Sequence, residues 1–273
     1  MSDYKKSVLT FIDILGFGDI VKKASAAEIE KLLRLANESS STSENDTEFT
    51  GRRSLSFSDT IITSCPLVGP HGLLAHGLLF NEIMNIVFLQ ADMIDRGETF
   101  LRGALTVGDV YHSKDMVFGP AVIDAYEIET KLCNYPRVVI DPSVLLEYEN
   151  TEVLRCGDNT AEDDLEFVKS LIRQDSDGLW FVDYLKGMLG NFDYPDYYLT
   201  FLKKHKELIL KKSSENKKLN GIALKYNWLA GYHNLVVSEL IKEKVLSKKH
   251  DIVFKIEKEE LETMHQFRLP LQK

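Results

Sequence analysis

Residues 11–20 read FIDILGFGDI, an apolar run with one acid, Asp13, set inside it and glycines Gly16 and Gly18 close behind. The surrounding SVLTFIDI, residues 7–14, has the length and β-branched character of a buried strand. A carboxylate in such a strand is costly unless a strong partner, such as a cation, compensates it. Glycines directly after it fit a backbone that bends tightly or lets a ligand approach closely. Any fold of this chain has to bring a compensating group to the end of its first strand.

The chain has 273 residues, 44% of them hydrophobic, enough for a large core in one elaborated domain or two small ones. No run of 18 apolar residues occurs and no long apolar segment follows the first lysines, so a cytoplasmic protein without a membrane span or signal peptide is expected. Cys65, Cys133 and Cys156 are widely spaced and odd in number, which suits reduced thiols better than disulfides or a zinc site. The net charge of −9 is uneven: 16 Lys and Arg against 9 Asp and Glu from residue 201 onward, but 17 against 33 before it. The acidic part is a poor surface for nucleic acid or phosphate unless metal ions intervene, and the lysines of the tail read as a solvated helix face, with a basic patch as the alternative.

Along the chain, the first strand leads through the glycine turn to a segment with near-helical apolar spacing from Ile20 to Leu35. The polar stretch at 37–50 reads as a loop. RRSLSFSDTIITSC reads as two short strands hinged near Ser58 and Asp59. Residues 73–95 read as a helix buried on more than one face, either in the core or against a second subunit. TFLRGALTVGDVYH is a strand, and GPAVIDAYEIETKL a helix entered through Gly-Pro. YPRVVID and DGLWFVDYL read as further strands, and 195–249 as helical with a break at SSENKKLNG. The order βαββαβ is the ferredoxin-like arrangement, in which two helices cover one face of an antiparallel sheet.

That topology places Asp13, at the end of the first strand, and Asp59, at the hairpin hinge 46 residues later, at one edge of the sheet. Two close carboxylates repel unless they share a proton or hold cations, and hard oxygen ligands favour magnesium or manganese. A two-metal phosphoryl-transfer site is the sharper reading. In the plainer one, Asp13 caps a helix and Asp59 shapes a turn. If Asp13 holds metal, the amides of Leu15, Gly16, Phe17 and Gly18, leading into a helix, form a cradle for nucleotide phosphates.

These residues resemble the class III nucleotidyl cyclases. FIDILGF is similar to that family's metal-binding F-x-D-I-x-G-F, SFSDT to its second acid at a hairpin turn, and LRGALTVGDVY to its R-x-G-I-x-x-G-x-V-like strand. GPAVIDAYEIE is similar to the helix that usually reads V-N-x-A-x-R-x-E. The resemblance covers roughly residues 7–140. It implies an α+β, ferredoxin-like cyclase core with extra strands over 1–190 and a mainly helical C-terminal extension over 191–273, packed on the core or the dimer. It also implies that Asp13 and Asp59, with the Ile14 carbonyl, bind two Mn²⁺ or Mg²⁺ ions, that residues 15–18 bind triphosphate, and that a homodimer forms composite sites.

The purine-selecting Lys and its Asp partner in adenylyl cyclases fall on Leu55 and Met116, and the transition-state Asn and Arg fall on Ile123 and Glu127. The pattern including AYEIE, YPRVVI and KYNWLAGYHN resembles the pyrimidine cyclases of bacterial anti-phage systems, which make cyclic CMP or cyclic UMP for a separate effector protein. That resemblance implies a base pocket lined by Leu55, Phe57 and Met116 and a CTP or UTP substrate; with the charge and hydropathy above, no nucleic-acid or membrane partner is expected. Arg102 is the first candidate for the compensating cation, its plainer role being a strand arginine paired with an acid; Lys114 and Arg137 follow. Tyr111 and His112 read as structural. A catalytically inactive nucleotide sensor and a purine cyclase are the alternatives.

Overall fold

The computed structural model describes residues 4–72, 77–155, 161–191, 195–215, 220–248, 250–257 and 260. Two compact units divide the chain, residues 1–190 and 191–273.

In the first unit, strand β1 (Lys5–Ile14) is followed by helices α1 (Phe17–Lys23), α2 (Ala26–Ser40) and α3 (Glu44–Thr50). The hairpin β2 (Arg53–Phe57) and β3 (Thr60–Pro66) follows, then helix α4 (Leu78–Asp95) and strand β4 (Leu101–His112). After these come β5 (Val117–Phe118), α5 (Pro120–Leu132), β6 (Val138–Ile140), α6 (Pro142–Asn150), α7 (Ala161–Ser170), β7 (Ile172–Gln174), β8 (Trp180–Val182) and α8 (Tyr184–Gly187). Among the described residues the strands form one eight-stranded sheet in the order β2-β3-β1-β4-β6-β8-β7, with β5 on β4. Its first four members are antiparallel neighbours, the ferredoxin-like order, so the α+β core expected from the sequence is present.

Alternation along β1 sorts the two faces. Thr10 and Ile12, with Ile61 and Thr63 of β3, meet α2 and α4 around one small cavity. Leu9 and Phe11 pack instead with Ala104, Val110 and the α5 residues Ala121 and Ala125. Asp13 shares the parity of Leu9 and Phe11, so it belongs to the α5 face. Close approach of β1 and β4 needs Gly103, because a Cβ there would sit 2.2 Å from the Phe11 carbonyl oxygen.

The structure corrects the loop expected at 37–50. Helix α2 continues to Ser40, and α3 forms because the Ser43 hydroxyl caps it by accepting from the Asp46 amide. The segment before it is two helices rather than one, since Ser25 and Glu28 make a capping box that starts α2 afresh. Helix α4 buries most of its length inside its own chain, including Leu79, Ile83, Val87 and Met93, which makes it a core helix; residues 73–76 of the expected helix lie outside the described ones. Cys65 and Cys133 are free and buried, and burial pushes both thiols up to about 12. Cys156 lies outside the described residues.

The second unit contains α9 (Pro195–Glu215), α10 (Asn220–Lys242) and α11 (His250–Phe254), which pack on one another. Residues 216–219 of the expected break lie outside the described ones. Trp228 stacks on Tyr232. Among the described residues no helix is long and apolar enough to cross a membrane.

Candidate active site

The end of β1 and the β2–β3 turn meet as the sheet order requires. Asp13 lies in register with Thr60 on one side and Arg102 on the other, and Phe57 pairs with Thr60, so one row runs Phe57, Thr60, Asp13, Arg102 across the α5 face. The Ile14 amide donates to the Asp59 carbonyl at 3.3 Å, which fixes the turn beside the strand end. Ser58, the first turn residue, adopts φ 56, a left-handed conformation uncommon outside glycine and typical of tight two-residue hairpins.

The Asp13 and Asp59 carboxyls are within hydrogen-bonding reach of each other. Burial, then the Asp59 carboxylate, push Asp13 up to about 7, and Arg102 opposes them. The guanidinium of Arg102 donates to Asp13 at 3.3 Å and forms an ion pair with Glu129 at 2.8 Å. The plainer reading of Asp13 as a helix cap fails, because the α1 N-cap is Gly16, at φ 73, with no side-chain cap bond. Among the described residues no group of three or more His, Cys, Asp or Glu is arranged to hold a metal; the unit that could hold one here is the carboxylate pair, whose mutual repulsion a divalent cation would offset.

The expected phosphate cradle is smaller than the sequence implied. The Leu15 amide is bonded to the Phe100 carbonyl at 2.9 Å, so it is not available to a ligand. Phe17 and Gly18 begin α1, where helical geometry gives their amides no acceptor in the helix, and Gly16 and Gly18 are exposed.

The other sequence candidates are dispersed. Phe57 is 80% exposed in the Asp13 row, and Met116 is 57% exposed in the turn after β4. Leu55 pairs with Ile62, one row away from Asp13 on the same face. Arg137 is fully buried, ion-paired to Asp175 and Asp177 and packed on Tyr135 and Phe181, which removes it as a cation for the site. Tyr111 stacks on Phe118, and His112 Nδ1 lies 2.7 Å from Ser64 Oγ, both structural as expected. Burial holds His112 down at about 4.

Glu129 was missed in the sequence. It continues the buried stripe of α5 through Ala121 and Ala125 at four-residue spacing, and an acid on such a stripe was the available signal.

No family model and no curated protein sequence matches the chain. Among solved structures it is similar to the dimeric guanylyl cyclase domain of the RhoGC fusion protein from the aquatic fungus Blastocladiella emersonii, at 16% identity over 66% of this chain and 94% of that one, TM-score 0.42. It is also similar to the guanylyl cyclase Cya2, at 14% identity over 66% and 93%, TM-score 0.42. A bacterial light-regulated adenylyl cyclase is similar at 16% identity over 53% and 79%, TM-score 0.38.

Proposed function

We propose that this chain is a metal-dependent nucleotidyl cyclase that converts CTP or UTP to the 3′,5′-cyclic monophosphate and pyrophosphate. The observation that carries the reading is the convergence of Asp13 and Asp59 at the end of a buried strand, with Asp13 pushed up to about 7. Two Mn²⁺ or Mg²⁺ ions would supply positive charge to the triphosphate and ease deprotonation of the ribose 3′-hydroxyl. Asp13, Asp59 and the Ile14 carbonyl are the groups that would hold them. The amides of Phe17 and Gly18 orient phosphate oxygens. Glu129 fixes Arg102, and Arg102 lowers the pKa of Asp13 against burial and Asp59, favouring its ionised form. The 3′-oxygen forms its bond to the α-phosphorus as the bond to the β-phosphate bridging oxygen breaks, and pyrophosphate leaves.

A homodimer completes the site in this reading. Exposed apolar side chains stand at the β2 end of the sheet, as Phe57, and on α5, as Ile123 and Tyr126, and suit an isologous contact. Leu55 and Met116 in place of purine-reading polar groups support a pyrimidine base. Resemblance to the anti-phage pyrimidine cyclases supports a cytoplasmic second-messenger role with a separate effector.

One observation favours a catalytically inactive nucleotide sensor instead: α5 presents Ile123 to solvent and pairs Glu127 with Lys131, so it offers no cation where the resemblance implies transition-state support. Incubation with Mn²⁺ and each of the four nucleoside triphosphates, followed by product chromatography, separates the readings. Cyclic CMP or cyclic UMP supports the enzyme; binding without product supports the sensor.

A further inference from the structure

We propose a second anion site, separate from the acidic pair, in a pocket at the β2 edge of the sheet that takes a small phosphate-bearing anion on Arg53 and Lys114. The pocket has a volume of about 310 Å³ and lies between the end of α2, α3, β2 and the turn after β4. Apart from its two cations its lining is hydroxyl and amide, including Thr47, Ser54, Ser56 and Ser113, with no carboxylate. In a chain of net charge −9 such a lining is a local reversal of sign.

Arg53 differs from most arginines of the first unit, Arg155 being the other without an ion pair among the described residues. Arg34, Arg52, Arg96, Arg102, Arg137 and Arg173 each meet a carboxylate of the first unit. Among the described residues neither Arg53 nor Lys114 is ion-paired. Ser56 Oγ is buried and has no hydrogen-bond partner among the described residues, an orphaned polar atom in the pocket wall. A guanidinium, an ammonium and several hydroxyls without an acid match the oxygens of a phosphate, and the volume suits a nucleotide-sized ligand.

The pocket is distinct from the acidic pair. Arg53 pairs with Ser64, which lies level with Leu9, four residues along β1 from Asp13. That is about 13 Å along the strand direction, before the lateral separation of β2 from β1, so one phosphate cannot reach both. The inference is independent of the cyclase reading.

The test is calorimetric titration of the full chain with pyrophosphate in EDTA, which removes divalent ions from the acidic pair. Saturable binding is expected, weakened about tenfold or more by Arg53→Ala or Lys114→Ala, partly restored in Arg53→Lys, and unchanged in Asp59→Asn. Because Arg53 and Lys114 have no ion pair to lose, the variants are expected to melt like the wild type. No binding at millimolar pyrophosphate, binding indifferent to both cations, or loss of binding in Asp59→Asn would overturn the proposal.

Discussion

Asp13 stands directly opposite Arg102 in the β1–β4 register, and the guanidinium reaches its carboxylate at 3.3 Å while Asp59 crowds the same group from the hairpin turn. The acid is held between one cation that favours its ionised form and a burial and charge environment that opposes it.

Without metal, Asp13 should make stability fall as pH rises. Its folded pKa of about 7 lies above the ordinary 3.8, so the folded state binds the proton more tightly than the unfolded chain. The contribution is complete below about pH 4 and is lost as pH rises through about 7. Melting temperatures in EDTA, taken as wild type minus Asp13→Asn, should decline over that window. A flat or rising difference contradicts the placement.

Arg102→Ala should act through Asp13. Arg102 lowers the Asp13 pKa, so its removal leaves burial and Asp59 unopposed, makes protons compete better with metal for Asp13, and moves the acidic limb of the pH–rate profile up. Turnover should fall at neutral pH and recover in alkaline buffer, and Arg102→Lys should restore much of it. An equal loss at every pH would instead mark direct contact with the phosphates.

Gly103→Ala should unfold the core rather than alter chemistry. The new methyl meets the Phe11 carbonyl oxygen and Ile12 Cα, which are backbone atoms that cannot rotate away. A loss of about 3 kcal/mol is expected in urea titration; a loss below about 1 kcal/mol would mean that the strands separate freely.

Phe57→Asp should break the proposed homodimer. Phe57 projects from the row of Asp13 with most of its ring in solvent. Sedimentation should show monomer in place of dimer, with activity lost and Mn²⁺ affinity retained. A dimer unchanged by the substitution would place the interface elsewhere.

The elements that hold the acidic pair were legible in sequence because each carries a strong local signal: the β-branched run to Asp13, the turn residues Ser58 and Asp59, and Gly-Pro before α5. Less was readable where polar capping outweighs hydrophobic pattern. Helix α3 has no buried residue and forms on the Ser43 cap, so periodicity could not find it. The engagement of the Leu15 amide depends on Phe100, a residue distant in sequence, and the pairing of Arg137 depends on the Asp175 to Asp177 turn. Such contacts arise only once the sheet order is fixed. Glu129 was readable in principle from its place on the α5 stripe, but an acid there also reads as an ordinary helix residue.

The central claim is that Asp13 and Asp59 together grip divalent ions beside a triphosphate. Electron paramagnetic resonance titration with Mn²⁺, in the presence of a pyrimidine triphosphate lacking its 3′-hydroxyl, tests it most directly. The account predicts two ions per site in the wild type, with Asp13→Asn and Asp59→Asn each losing occupancy while remaining folded. The same Mn²⁺ stoichiometry and affinity in all three proteins would contradict it.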